Sequence, residues 1–337
     1  MSPESEAERS AAGGEAGVAR PGRRRLARLL LAVGLVLALA TGGALWFLNS
    51  TIQQIERIED PFPEQRPEPA RGRDGAQPPL NVLLLGSDAR GEQGGSLLDG
   101  LGNRADAVMV AHVSGDRRSV QIMSVMRDSW VEIPGHGRAK INAALSYGGV
   151  PLMVQTVEGL IGQRIDHVAI VDFEGFRGLS ETLGGVTVDN ETAFSLDGYD
   201  FPQGQITLRG EQALVYVRAR YPFQDGDYQR VRNQQAFLRG VLRTVLSSGT
   251  LGDPAKLTGL LSGMTPHLAS DAGLSTQRIL ELASQLKDVR SEDVAFFTMP
   301  TSGTDTIGEE SVVLLDPVAL EDLRAAFAED RLAAYAD

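Results

Sequence analysis

Residues 29–48 (LLLAVGLVLALATGGALWFL) are free of charge for 20 consecutive positions, whereas the later apolar runs are short and bounded by turn residues or charges. At 1.5 Å per helical residue the stretch crosses about 30 Å of hydrocarbon. Trp46 and Phe47 fall at its far end, where an interfacial aromatic belt sits. Arg20, Arg23, Arg24, Arg25 and Arg28 precede it, against Arg57 and Arg66 in a comparable stretch after it. That bias predicts a cytoplasmic N-terminus and an exterior location for everything beyond Ser50. A cleaved signal peptide has an apolar core of about 7–15 residues and an A-x-A-like end; this run is longer and ends in LWFLNS. The expected order is a disordered cytoplasmic tail over 1–25, a transmembrane helix over 26–48 and a Pro-rich extracellular spacer over 49–79, whose prolines and charges forbid a helix.

The globular part is expected from Leu80. LNVLLLG (80–86) lacks alternation and reads as a strand buried on both faces. ADAVMVAHV (105–113) and SVQIMSVM (119–126) read as strands joined by a turn at Ser114-Gly115-Asp116. NAALSYGGVPLMVQTVEGLIG (142–162) has a helical pattern broken at Gly148-Gly149-Val150-Pro151. HVAIVDF (167–173), VTVD (186–189) and LVYVRAR (214–220) read as strands, and 174–184 and 227–246 as helices. Hairpins mixed with β-α-β crossovers predict the α/β class, with a mixed central β-sheet sandwiched between helices. Residues 251–337 add helical stretches (275–287, 316–335) and a strand-like DVAFFTMP (293–300), an extension packed on the core of a domain over 80–250.

Charge changes the picture of partners. The chain carries a net −12, and residues 1–48 hold six arginines against four glutamates, so the remainder is at −14. An acidic exterior argues against nucleic acid. Of the 32 basic residues only Lys140, Lys256 and Lys287 are lysine, which with the Ala, Gly and Arg richness reflects a GC-rich genome more than a binding property. With no cysteine, thiolate chemistry is out of reach. His112, His136, His167 and His267 lack metal-ligand spacing, and Ser124, Ser129 and Ser146 lack a GxSxG context.

What remains is a set of acids and arginines at the ends of apolar runs: Asp88, Arg104 with Asp106, Arg127 with Asp128, Arg218 with Arg220, and Arg230 to Gln234. Such an inventory suits a divalent metal and a polyanion, with chemistry done by positioning and charge. Read as a strand, 214–220 puts Arg218 and Arg220 on one face, where they repel unless an anion lies between them or surface acids pair with them. Asp227, Arg230 and Gln234 fall on or beside the apolar line of the 227–246 helix near its N-terminus, which favours an anion.

The order of these blocks is more specific than any one of them. NVLLLGSDAR, RADAVMVAHV, SVMRDSWVEIPGHGRAKINAALSYGGVPLMVQTVEGLIG, DHVAIVDFEGFRGLSETLGGVTVD, LRGEQALVYVRAR and DYQRVRNQQAFL together resemble the LytR-CpsA-Psr family over residues 80–246. The resemblance implies a catalytic domain over 80–250 with the LytR-CpsA-Psr fold, behind a single membrane anchor. It implies a Mg2+- or Mn2+-dependent phosphotransferase that moves a glycopolymer (arabinogalactan, a teichoic acid or a capsule-like polysaccharide) from a polyprenyl-pyrophosphate carrier to a peptidoglycan acceptor outside the cytoplasmic membrane. By position, Asp88 and Asp106 are implied as the metal acids. Arg104, Arg127, Arg218 and Arg220 are implied as the catalytic arginines around the pyrophosphate, with Asp128, Lys140, Arg230 and Gln234 also at the substrate. Met126 stands where the family's usual PRD has proline, and Ala105 makes RAD of its commoner RSD; both swaps keep the charged groups. A polyprenyl-pyrophosphate-binding regulator and a lipid pyrophosphatase are the other readings of the same residues.

Overall fold

In a computed structural model of the protein, the described residues are 55–72, 75–87, 98, 105–223, 225–247, 253, 256, 259–260, 262 and 264–336. The run at 29–48 lies outside them; among the described residues no helix is long and apolar enough to cross a membrane.

A seven-stranded mixed sheet forms the centre. Its strands are β1 (Glu56–Ile58), β2 (Leu80–Ser87), β3 (Ala107–Val113), β4 (Val120–Val125), β7 (His167–Asp172), β12 (Leu268–Asp271) and β13 (Val294–Thr298), in the spatial order β1-β12-β7-β2-β3-β4-β13. The register pairs Leu84 with Met109 of antiparallel β3 and with Ala169 of parallel β7. β2 is thus hydrogen-bonded on both edges, which explains its unbroken apolar run. The expected turn at Ser114-Gly115-Asp116 joins β3 to β4, with Arg117 at φ 61° closing it.

Helices cover both faces. Leu83, Leu85, Met123, Val125, Val168 and Ile170 form one core with helix α1 (Ala143–Ile161) and the C-terminal helices α6 (Pro317–Ala328) and α7 (Leu332–Ala336). Ser124, alternating with Met123 and Val125, faces the other way, where Gln235 of helix α4 (Gly226–Ser247) donates to its hydroxyl at 2.9 Å. On that side a second core joins α2 (Phe173–Thr182), the hairpin strands β8 (Val186–Asn190) and β11 (Gly204–Leu208), α3 (Glu211–Arg218) and α4. The mixed sheet between helices is as expected.

Three expectations are corrected. The segment 214–220 is not a strand: Glu211–Arg218 is helical, with Ala213 to Val217 all buried. A short run buried on every side has no periodicity to separate strand from helix. The deciding bonds are tertiary, because Asn233 and Gln234 of α4 donate to the Tyr216 and Val217 carbonyls at 3.2 and 3.4 Å, satisfying the helix end. The spacer of 49–79 is not free of core either. β1 pairs with β12 in the sheet, Ile55 and Ile58 are buried, and Phe62 packs on the first core. Nor is 251–337 merely an addition to the 80–250 core, since β12 and β13 are strands of the central sheet itself.

Arg66 shows how firmly that leading segment is tied down. Its guanidinium donates to Glu158 Oε1 from Nε and Nη2 at 3.0 and 2.8 Å, bonds the Ile165 carbonyl and lies over the Phe62 ring. The side chain of Glu158 is only 2% exposed. Arg66→Ala strands that carboxylate, and the expected loss is about 3–5 kcal/mol, the cost of removing one partner from a buried pair. Urea denaturation checks it; a loss below about 1 kcal/mol would place Arg66 among surface arginines.

Candidate active site

β2, β4, β7 and β13 all point the same way, and their C-terminal ends make the edge at which open α/β sheets bind ligands. Asp106, just before β3, is held there by its N–H bond to the Gly86 carbonyl at 2.8 Å. Arg127 and Asp128 follow β4 at the same edge. Beyond them a hairpin of β5 (Trp130–Ile133) and β6 (Gly137–Lys140), not anticipated from the sequence, brings Lys140 back. α3 ends in Arg218, and Ala219 leaves the helix at ψ 122°, so that Arg220 follows in an extended turn. The first turn of α4 contributes Asp227 and Arg230.

Asp227 is the shared partner. Arg127 Nε and Arg230 Nη2 lie 3.4 and 3.3 Å from its Oδ2, and Arg220 Nε lies 2.7 Å from its Oδ1. Arg127 also pairs through Nη1 with Asp106 and sits 3.7 Å from Asp128. Lys140 Nζ is 3.7 Å from both Asp128 and Glu310. Burial, and then a hydrogen bond to Asp227, raises the Asp128 carboxyl above the ordinary carboxylate range. Burial alone would raise Asp227 too, but that hydrogen bond and Arg230, Arg127 and Arg220 bring it below. Burial lowers Arg230 against the pull of Asp227, and its Nε is buried with no hydrogen-bond partner. Burial works against Arg127 as well, yet Asp227, Asp128 and Asp106 outweigh it and raise its pKa.

Arg127, Arg220 and Arg230 converge on Asp227, and Arg127 pairs with Asp106 as well. With Arg218 they line a cavity of about 560 Å3, together with Asp106, Asp197, Glu211 and Tyr221 and the apolar side chains of Leu196, Leu214 and Val215. Guanidinium groups beside apolar side chains fit an anion attached to a hydrocarbon chain.

The sequence-derived site is thus largely assembled, with three amendments. Asp88 and Arg104 lie outside the described residues. Gln234 is not at the cavity surface: it is 1% exposed and its amide braces the Val217 carbonyl, one residue before Arg218. Arg218 and Arg220 reach the cavity from a helix end and a turn rather than from one strand face. Asp227 is the residue whose role as shared partner sequence reasoning missed; its signals were its place in the first turn of α4 and beside that helix's apolar line. Among the described residues no group of three or more acids or histidines is placed to hold a metal. Asp106 is a carboxylate on the cavity wall, so it can supply one of the oxygens that Mg2+ takes, with substrate phosphate and water as the others.

The chain belongs to the LytR_cpsA_psr family, whose model matches residues 46–326. It is 37% identical over 199 residues to the polyisoprenyl-teichoic acid–peptidoglycan teichoic acid transferase TagU of Enterococcus faecalis, covering 57% of this chain and 63% of that one. It is 32% identical over 286 residues to the cell wall biosynthesis protein LcpA of Corynebacterium glutamicum, covering 72% of this chain and 54% of that one. The chain thus spans less than two thirds of either relative's length. The crystal structure of B. subtilis TagV shares the fold with a TM-score of 0.64 at 24% identity, over 75% of this chain and 97% of that one.

If Asp227 neutralises the arginines, Asp227→Ala leaves them repelling one another, at a cost of about 3–5 kcal/mol. Added inorganic pyrophosphate should restore part of that loss, raising the melting temperature of the variant more than that of the wild type. Equal shifts for the two proteins would mean that the arginines do not share an anion site.

Proposed function

We propose that this chain transfers a glycopolymer from a polyprenyl-pyrophosphate carrier to peptidoglycan, forming a phosphodiester and releasing polyprenyl phosphate. The observation that carries the reading is the cavity in which four arginines meet an apolar wall, because a lipid pyrophosphate has both a multivalent anion and a hydrocarbon chain. The names of the two relatives, a teichoic acid–peptidoglycan transferase and a cell wall biosynthesis protein, support the same class of reaction. The uncharged run within 26–48 would anchor the enzyme in the cytoplasmic membrane, with the catalytic domain outside.

In this reading Arg127, Arg218, Arg220 and Arg230 hold the pyrophosphate, and Leu196, Leu214 and Val215 meet the start of the prenyl chain. A hydroxyl of the acceptor forms a bond to the sugar-linked phosphorus. The bond from that phosphorus to the bridging oxygen breaks, and polyprenyl phosphate leaves with the electron pair. The arginines stabilise the charge that develops on the leaving phosphate. Asp128, beside Arg127 and in reach of Lys140, takes the hydroxyl proton in its ionised form. Asp106 and Asp88 would hold Mg2+, which would supply Lewis-acid stabilisation of the phosphate oxygens.

Arg220 tests the anion site. Lysine keeps the charge but loses the planar fork. Arg220→Lys should therefore weaken binding of inorganic pyrophosphate by about tenfold or more, the ~1.5–3 kcal/mol of a charge-assisted hydrogen bond. Calorimetric titration reads this directly, and wild-type affinity in the variant would remove the anion cavity from the argument.

The proton acceptor is tested by pH. Asp128 must be ionised to act, so transfer should fall as pH drops through a value above the ordinary carboxylate range, reflecting its raised pKa. Asp128→Asn should lose that limb together with about 10²–10⁴-fold in rate. An unchanged acidic limb in the variant would assign it to another group, and release of free polymer to water by the wild type would mark a pyrophosphatase.

A further inference from the structure

A second cavity, of about 450 Å3, opens on the other side of Arg127 and Arg220. It is within the range of about 300–1,000 Å3 typical of small-ligand sites. Asp128 borders it, and the wall away from the arginines is of a different character: Lys140, Asn142, Ser146, Tyr147 and Glu310. Lys140 is already matched by Asp128 and Glu310, so this wall has little surplus charge and many hydrogen-bonding groups.

Two local features give that wall its shape. Asn142 precedes α1 but makes no side-chain capping bond, the usual use of asparagine at that position; its side chain lines the cavity instead. Tyr147 ends the first segment of α1 and is 50% exposed, with the imidazole of His136 stacked on its ring at 4.7 Å between centroids and 16° between planes. The helix then breaks. Gly148 and Gly149 are non-helical, and Gly149 at φ 63°, ψ −157° occupies a conformation that only glycine takes readily. Before the break Asn142, Ser146 and Tyr147 line the cavity while Ala144 and Leu145 pack in the core, and after it Met153, Val154 and Val157 continue that core.

An aromatic ring held in place by a second ring, beside an amide, a hydroxyl and carboxylates, is the combination that suits a pyranose. The C–H face of the sugar packs on the ring, and its hydroxyls and N-acetyl groups take the polar side chains. We propose that this second cavity is the acceptor subsite, binding a pyranoside segment of the peptidoglycan glycan strand on the Tyr147–His136 platform. The assignment rests on the transfer reading above. It accounts for the two cavities meeting at Arg127 and Arg220: donor phosphate enters from one and acceptor hydroxyl from the other, where Asp128 lines the wall.

The test uses the full chain in detergent and, as probe, a peptidoglycan tetrasaccharide of alternating N-acetylglucosamine and N-acetylmuramic acid. The wild type should bind it. Tyr147→Ala should weaken binding and raise the acceptor KM by about tenfold or more while leaving the lipid-donor KM and the affinity for inorganic pyrophosphate unchanged. Tyr147→Phe, which keeps the ring, should stay within about twofold of wild type. The subsite is overturned if the wild type does not bind the tetrasaccharide, or if Tyr147→Ala keeps wild-type affinity and acceptor KM. Failure of the transfer reading shows elsewhere, as pyrophosphate binding indifferent to Arg220.

Discussion

One carboxylate shared by three guanidinium groups holds the centre of this protein together. Without Asp227, the Arg127, Arg220 and Arg230 side chains could not lie within reach of one another, because each is a fixed charge that cannot be relieved by losing a proton. With it, they converge at one cavity with their guanidinium groups already placed. Holding charged groups in position is a general way for a site to be pre-organised before its ligand arrives.

Everything around Asp227 serves to deliver those groups to one edge. Three elements distant in sequence contribute: the end of β4 carries Arg127 and Asp128, the exit of α3 carries Arg218 and Arg220, and the first turn of α4 carries Asp227 and Arg230. α4 fixes the other two. Gln235 ties it to Ser124 at the end of β4, while Asn233 and Gln234 hold the last carbonyls of α3. The polar side of one helix therefore sets both the strand end and the helix end from which the arginines project. Buried amides in such a role are positioning groups, and Gln234 is better understood that way than as a ligand for substrate.

The sheet that supports this edge is assembled from both extremities of the described chain. β1 and Arg66 come from a proline-rich stretch, and β12 and β13 from beyond the motif blocks, yet the three strands belong to one sheet and Arg66 is tied to Glu158 of α1. The segment of α1 before its break serves both purposes, with Ala144 and Leu145 in the core and Ser146 and Tyr147 at the second cavity.

How much of this was legible in the chain follows from the range of the interactions involved. The strands at 80–87, 107–113 and 167–172, the turn after β3 and the glycine break in α1 are written in local patterns, and the ordered motif blocks identified the family and nearly all the charged residues of the site. The strand at 56–58 was hidden because three residues show no period, and its only partner, β12, lies more than 200 residues away. The segment 214–220 reads as a strand because an all-buried run looks alike in either state; bonds from α4 make 211–218 a helix. Asp227 looked like an ordinary first-turn acid, since nothing local shows that arginines from β4 and α3 will share it. Residue types and short-range periodicity come from the chain alone, whereas a shared counter-charge exists only once distant segments have packed, and tertiary structure alone could decide it.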